Sequence, residues 1–413
     1  MRRAALLAVA LLLAAPAAAR ALAPLPHQWP SRHLELGLTD SPGGAGRLHH
    51  SAPFGFRYQY LAGGVNTGAG WATWNPDGSF ASLYARESFA ARTTPVFTYY
   101  MIRQSAPGKD VGDEAEADLG NLRDTATMRA YWADLRLFMK RAGTFRRPVV
   151  LHVEPDMWGY AEQAARGDDA GSVSAAVASS GDPDTAGLPD TLAGFAQALV
   201  RMRDRYAPNV VLGYHLSVWG TRTDIALQDP PNRVVDALAA RAARFYRSLG
   251  AHFDVTFAEF SDRDAAFKEH VYGDGGASWW NAADFSRDVR FDGGFARGAH
   301  QRIVKWQIPL GNTLMRAEDN SWGHYQDNRV QWLLGSGTRA HLVRYLHAGV
   351  IAFLFGGGAD GTTCACDARH DGVTNPPPVD GNARRSLSAD DDGGYFRSRA
   401  RAYYRGHALR LRR

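Results

Sequence analysis

The stretch Pro148 to Glu154 has the sequence PVVLHVE, in which polar and apolar side chains alternate as in a strand buried on one side. Seven other runs are similarly rich in β-branched and aromatic residues. They are His33 to Thr39, Gly55 to Leu61, Pro95 to Met101, Val210 to Ser217, Phe253 to Glu259, Ile303 to Leu310 and Val350 to Phe355. Between these runs and after the last one, apolar residues recur at the spacing typical of helices, as in Leu192 to Tyr206, Val234 to Leu249, Val330 to His347 and Ser398 to Leu411. This alternation predicts an α/β fold, namely a single-domain (β/α)8 TIM-type barrel.

The chain has 413 residues, of which 45% are hydrophobic and 22% charged, an ordinary globular composition that excludes a disordered or collagen-like protein. Residues 1–23 are typical of a secretory signal, with Arg2 and Arg3 before an apolar run and small residues at possible cleavage points after about residue 19 or 23. We therefore expect a secreted or periplasmic protein. The barrel is assigned to residues 24–395 and a basic C-terminal helix or tail to residues 396–413.

Three long segments are predicted to be loops at the catalytic face: Gln104 to Asp124, Arg166 to Asp190 and His370 to Gly394. The C-terminal arginines predict either a solvated helix or a surface attracted to acidic partners. Cys364 and Cys366 are the only cysteines, and in an exported chain they favour a disulfide over a metal site.

Alternate positions of several strands are polar, and in a barrel we expect these positions to face the axis. On this basis Glu35, His152, Glu154, His215 and Lys305 point inward. The sixth strand is ambiguous. Buried charges are costly unless they are paired or bind a ligand, so these groups are candidate functional residues.

Carboxylates dominate the strand ends, where barrel enzymes place their reacting groups. Hydrolysis of a glycosidic bond needs two such groups, and the candidates are Asp156 or Glu154 as the acid with Glu259 as the base or nucleophile. Alternative structural roles are a buried pair of Glu154 with Lys305, capping of the next helix by Asp156, and a salt bridge of Glu259 to Arg263 or another arginine. The sequence does not decide between Glu154 and Asp156, although Pro155 is expected to hold Glu154 extended.

Aromatic residues recur after the strands, and their broad faces are suited to stacking on sugar rings. The residues expected to bind substrate are Trp158, His215, Trp219, Asp262, Lys305, Trp306, Gln307, Trp322 and Asp360. Further aromatic residues in the same loops are Trp71, Trp74, Tyr160, Trp279, Trp280 and Tyr325.

The segment Val153-Glu154-Pro155-Asp156 resembles the strand-end E-P-D motif of the family-six cellulases. The segment from Ala359 to Thr363, ADGTT, loosely resembles the Asp-Gly-Thr-Ser stretch of the same family. The resemblance implies an inverting glycosidase on an incomplete β/α barrel, with Asp156 as the general acid.

A secreted glycoside hydrolase acting on a polysaccharide or oligosaccharide is thus the leading hypothesis. It requires no cofactor or metal, and we expect a carbohydrate substrate, no nucleic acid, no membrane association after signal removal, and a monomer. One alternative is a metal-dependent hydrolase or isomerase, with His152, Glu154, His215 and Glu259 as ligands. The other is a glycan-binding barrel without catalysis.

Overall fold

The computed structural model describes residues 21–261, 263–314, 320, 325–356 and 394–411. Eight parallel strands close into one barrel in chain order, which confirms the predicted (β/α)8 architecture. The strands are β1 Glu35–Thr39, β2 Phe56–Leu61, β3 Thr94–Tyr99, β4 Val149–Val153, β5 Val210–Leu216, β6 Val255–Glu259, β7 Ile303–Ile308 and β8 Val350–Phe355. β1 pairs with β8, so the barrel differs from the incomplete barrel that the family-six resemblance implies.

Helices cover the outside of the barrel. They are α1 Ala45–Ser51, α2 Ser79–Ala90, α3 Glu114–Arg123, α4 Thr125–Ala142, α5 Met157–Ala164, α6 Leu192–Tyr206, α7 Asn232–Ser248, α8 Ala265–Phe267, α9 Ala282–Ala299, α10 Arg329–Leu334, α11 Arg339–Ala348 and α12 Tyr395–Arg405. A π-helical turn, Lys268–Tyr272, continues α8.

Two predictions about helices are wrong. The expected helix from Val330 to His347 is divided into α10 and α11, because Gly337, with φ +77°, lies in the left-handed region between them. The expected loop from Gln104 to Asp124 contains α3, whose first turn is capped by Asp113 accepting a hydrogen bond from the amide of Glu116. The segment from Arg166 to Asp190 does lack long elements and holds two short 3₁₀ turns.

Aromatic rings from non-adjacent strands meet inside the barrel. The ring of His152 on β4 lies 4.2 Å from Phe257 on β6 and 4.6 Å from Trp306 on β7. Trp306 is in turn 6.0 Å from Tyr60 on β2. The ring of His215 on β5 lies 5.1 Å from that of His152, so the inward positions of β4 and β5 are as predicted, and on β6 the inward residues include Phe257.

Lys305 contradicts the predicted orientation of β7. Its Nζ lies 2.9 Å from Asp288 and 3.2 Å from Asp292, both on α9, so it faces the helices while Trp306 faces the axis. The Glu154–Lys305 pair, which was one alternative structural role for Glu154, does not form. Polarity misled the prediction because the carboxylates that satisfy this lysine come from the covering helix.

The C-terminal helix α12 packs on the start of β1. The hydroxyl of Tyr403 donates to the Leu34 carbonyl at 2.7 Å, and the hydroxyl of Tyr404 accepts from the Leu36 amide at 3.0 Å. Phe396 adds a ring contact at 4.4 Å to Phe355. Within the described ranges, no helix is both long and apolar enough to cross a bilayer.

Candidate active site

A cleft of about 860 Å³ opens where the strands end, on the face where barrel enzymes place their active sites. Residues from six strands or the turns directly after them contribute to its wall. They include Tyr60, Asp156, Trp219, Glu259, Trp306 and Gln307. Five of these six residues were predicted from the sequence; Tyr60 was not.

Asp156 and Glu259 meet in this cleft. One carboxylate oxygen of each, together with a ring nitrogen of His215, lies within 4.8 Å of the other two atoms. Asp156 directly precedes α5 but its side chain makes no capping hydrogen bond, so the structural alternative for this residue is wrong. Glu259 ends β6, and the indole Nε1 of Trp219 donates to its Oε2 at 3.4 Å.

Glu154 does not reach the cleft. It is fully buried, and its carboxylate accepts hydrogen bonds from the backbone amides of Met101 at 3.2 Å and Ile102 at 3.1 Å. Burial raises the pKa of Glu154 to about 8, against the lowering effect of those two amides. Glu154 therefore anchors the turn after β3, and its expected part in catalysis finds no support in this position.

The backbone at the end of β4 explains the separation of the two acids. Glu154 has φ +47° and Asp156 has φ +68°, so Glu154 does not have the extended conformation expected before Pro155. Non-glycine residues adopt positive φ at a cost, and surrounding contacts must impose it. The backbone amides of Met101 and Ile102 hold the Glu154 side chain and thereby keep Glu154 at its positive φ. The turn that follows directs Asp156 into the cleft.

Two histidines form a buried column beneath the carboxylates. His152 Nε2 and His215 Nδ1 are 3.0 Å apart, and His152 Nδ1 lies 3.4 Å from the hydroxyl of Thr98. Burial lowers the pKa of His215 to about 3 and that of His152 well below its usual value, so both rings are neutral. Nε2 of His215 is buried and has no hydrogen-bond partner within the described part of the chain. His215 therefore lies close to both carboxylates, with a ring nitrogen within 4.8 Å of an oxygen of each, and does not itself line the cleft wall.

Tyrosines surround the carboxylates. Tyr60 accepts a hydrogen bond from Gln307 Nε2 at 3.3 Å. Burial raises the pKa of Tyr60 well above its usual value, and the charges of Asp156 and Glu259 contribute to the shift. Tyr100 is also close enough to Asp156 for the carboxylate charge to add to the effect of burial on its pKa. At neutral pH both hydroxyls are protonated and can donate to sugar oxygens.

Trp158 is not a substrate-binding residue in this structure. Its Nε1 donates to the Val153 carbonyl at 2.9 Å, and its ring packs 5.1 Å from Tyr214 and 5.6 Å from Phe195, away from the cleft. The first turn of α5 places it in the core between barrel and helices. Lys305 is likewise outside the cleft. Several other predicted residues lie outside the described part of the chain: Asp262, Trp322, Asp360, Cys364 and Cys366.

Sequence reasoning missed part of the cleft. Glu114 accepts from the Tyr160 hydroxyl at 2.9 Å and begins α3, within a segment expected to be a loop. Trp280, one of the loop aromatic residues named from the sequence, does line the cleft, with the Arg329 guanidinium 4.7 Å from its ring centre. The sequence does show that Phe56, Tyr58 and Tyr60 share one side of β2. Because all three are aromatic, the pattern did not indicate that this side faces the barrel axis.

No family model matches the chain, and no curated protein matches it. Among solved structures it is similar to a family 39 glycoside hydrolase from the gut symbiont Bacteroides cellulosilyticus WH2, with a TM-score of 0.39 and 11% identity over 90% of this chain and 64% of that one. It is also similar to a glycoside hydrolase-like protein, with a TM-score of 0.37 and 12% identity over 87% of this chain and 95% of that one. The chain thus spans less than two thirds of the family 39 enzyme.

Proposed function

We propose that this protein is a glycoside hydrolase that uses Asp156 and Glu259 as its two catalytic carboxylates. The observation that carries the proposal is the approach of their oxygens to within 4.8 Å at the open end of the barrel. Retaining glycosidases hold their carboxyl groups about 5 to 5.5 Å apart, whereas inverting enzymes need about 6.5 to 9.5 Å to admit a water. The pair therefore favours a retaining reaction, unlike the inverting one that the family-six resemblance implies.

The surroundings of the two acids favour different roles. Trp219 donates to Glu259 Oε2, and a donor of this kind orients a carboxylate and stabilises its anion, as a nucleophile requires. We assign Glu259 as the nucleophile that attacks the anomeric carbon. Asp156, on the turn after β4, protonates the departing glycosidic oxygen and then takes a proton from the water that releases the sugar.

The walls of the cleft support a carbohydrate substrate. Trp219, Trp306 and Trp280 present aromatic rings, and among the described residues the buried Nε1 of Trp306 has no hydrogen-bond partner. Tyr60 and Tyr100 add hydroxyls between these rings. Alternating apolar faces and polar edges of this kind suit sugar rings, which also have an apolar face and a polar rim.

Purified variants tested on a panel of polysaccharides and oligosaccharides would decide the proposal. Asp156→Asn and Glu259→Gln should each lower kcat by about 10²- to 10⁴-fold while the thermal midpoint stays close to wild type. Asp236→Asn is the control, because this exposed carboxylate on α7 pairs only with Arg290 in the described structure. Wild-type turnover in both cleft variants would refute the assignment, and glycan binding without any product would favour a non-catalytic binding barrel.

We also propose that the protein is exported as a monomer after removal of an N-terminal signal. Of the two possible cleavage points, the structure supports the earlier one. The carbonyl of Ala23 accepts from Arg302 Nε at 2.6 Å and Leu22 packs against the core, so cleavage after Ala23 would remove both contacts. N-terminal sequencing of the exported protein should therefore find Arg20 as the first residue, and a start at Pro24 would contradict this.

A further inference from the structure

We propose that Asp156, His215 and Glu259 form a binding site for one divalent ion of the zinc class, and that this ion and the glycosidic reaction exclude each other. The sequence alternative of a metal-dependent enzyme used His152 and Glu154 as ligands, and neither belongs to the group that the structure brings together. Binding of the ion does not depend on the proposed function. Only its competition with hydrolysis rests on that proposal.

The buried imidazole of His215 is the observation that points to an ion. Its Nδ1 is engaged by His152, so the nitrogen left to face a ligand is Nε2. In the described structure Nε2 makes no hydrogen bond, although two carboxylates have oxygens within 4.8 Å of a ring nitrogen of His215. A buried polar atom in this situation is costly unless something else satisfies it. A cation placed between the nitrogen and the two carboxylates would do so.

The hydrogen bonds behind His215 suit a metal ligand. If Nδ1 of His215 donates to His152 Nε2, and Nδ1 of His152 donates to the Thr98 hydroxyl, the Nε2 lone pair of His215 points to the carboxylates. Metal-binding histidines almost always donate their second ring N–H to such a partner, which fixes the tautomer and the ring orientation.

The spacing requires only a small closure. Ligand atoms at about 2.0 to 2.2 Å from a tetrahedral zinc ion lie about 3.3 to 3.6 Å apart, so atoms that now lie within 4.8 Å of one another have to approach by at most about 1.5 Å. Asp156 and Glu259 are both partly exposed and can make this movement, while His215 is held in the column. One nitrogen and two oxygens favour zinc, cobalt or nickel, whereas magnesium and calcium prefer oxygen ligands alone.

Occupation by the ion would block hydrolysis for a direct reason. The oxygens that bind the metal are those that must attack the anomeric carbon and protonate the leaving group. A carboxylate whose oxygen is shared with a divalent cation is a weaker nucleophile and holds no proton to donate.

Isothermal titration of tag-free, chelator-treated protein with Zn²⁺ alone tests the binding without any substrate. We expect one strong site per chain, and no comparable site for Mg²⁺. His215→Ala should weaken the binding at least about 10-fold, and Asp156→Asn, a change at a partly exposed position that leaves the barrel interior intact, should also weaken it. His252→Ala is the matched control, since that histidine is exposed and remote from the cleft. Absence of a strong Zn²⁺ site, or unchanged affinity in Asp156→Asn together with any folded His215 variant, would overturn the proposal.

Activity supplies a separate readout once a substrate is known. Zn²⁺ should inhibit hydrolysis with the midpoint measured by titration, and a chelator should reverse the inhibition. Binding without inhibition would refute the mutual exclusion, and activation by Zn²⁺ would refute it as well. A protein that binds Zn²⁺ as expected but cleaves no glycan would refute the proposed function and leave the metal site standing.

Discussion

Glu154 and Asp156 are separated by one residue, yet only Asp156 reaches the cleft, because the carboxylate of Glu154 is buried against the amides of Met101 and Ile102. The two acids therefore differ in what they can do. A carboxyl group buried in this way is held largely protonated near neutral pH, and its charge becomes costly as the pH rises. Asp156 lies beside Tyr60 and Tyr100 in open contact with the space where a substrate would bind.

Replacement of Glu154 by glutamine should remove a pH dependence of stability. The pKa of Glu154 is about 8 in the folded protein, raised from 4.5 by burial, so its contribution is fully present below about pH 4.5 and is lost as the pH rises through 8. Relative to Glu154→Gln, the free energy of unfolding of the wild type should fall by more than about 1 kcal/mol between about pH 5 and pH 8. Urea denaturation at a series of pH values measures this difference.

The comparison is informative because other buried acids remain in both proteins. Burial also raises the pKa of Glu162 to about 8, but its effect cancels between the wild type and Glu154→Gln. Glu116→Gln, which replaces an exposed carboxylate on α3, is the matched control. Parallel stability curves for the wild type and Glu154→Gln would show that Glu154 is ionised in the folded protein near neutral pH.

The first product of hydrolysis should retain the anomeric configuration of the substrate. One oxygen of Asp156 and one of Glu259 lie within 4.8 Å of each other, which is nearer to the carboxyl separation of retaining pairs than to that of inverting pairs. Proton NMR of the reaction mixture, recorded before mutarotation equalises the anomers, detects the configuration directly. An inverted first product would contradict the assigned roles and favour the mechanism implied by the family-six resemblance.

The sequence predicted the fold because strand and helix patterns are local. The eight runs of β-branched and aromatic residues contain or overlap all eight strands, and the positions of Asp156 and Glu259 at strand ends followed from those boundaries. The sequence could not show the choice between Glu154 and Asp156, because it depends on two positive φ angles and on backbone amides in the turn after β3. The inward side of β7 was predicted wrongly because the carboxylates that pair with Lys305 come from α9, which the sequence of β7 does not show.

The polarity of Lys305 predicted an inward, substrate-binding side chain, but the lysine faces α9. Its replacement should test whether its role is structural. The lysine is buried between Asp288 and Asp292, and burial, together with the neighbouring charge of Asp288, raises the pKa of Asp292 to about 7. Lys305→Met should lower the free energy of unfolding by about 3 to 5 kcal/mol, because it leaves two buried carboxylates without their cation. Denaturant unfolding measures the loss, with the exposed Lys140→Met as the control.

Two further results separate a structural lysine from one that binds substrate. Adding Asp288→Asn and Asp292→Asn to Lys305→Met should restore part of the stability, because no unpaired charge then remains in the cluster. The KM of any folded Lys305 variant should stay near that of the wild type. A stable variant with a strongly raised KM would instead place Lys305 in contact with the substrate.

Trp219 combines two functions that different substitutions can separate. Its Nε1 donates to Glu259 at 3.4 Å, and its ring lies 4.8 Å from that of Tyr160 in the cleft wall. Trp219→Phe removes the donor but keeps an aromatic face, so kcat should fall about 10-fold with little change in KM, as expected for loss of one hydrogen bond to a charged group. Trp219→Ala also removes the stacking surface, so KM should rise as well. Steady-state kinetics on the best substrate distinguishes these effects, and an unchanged kcat in Trp219→Phe would mean that the orientation of Glu259 does not depend on the indole N–H.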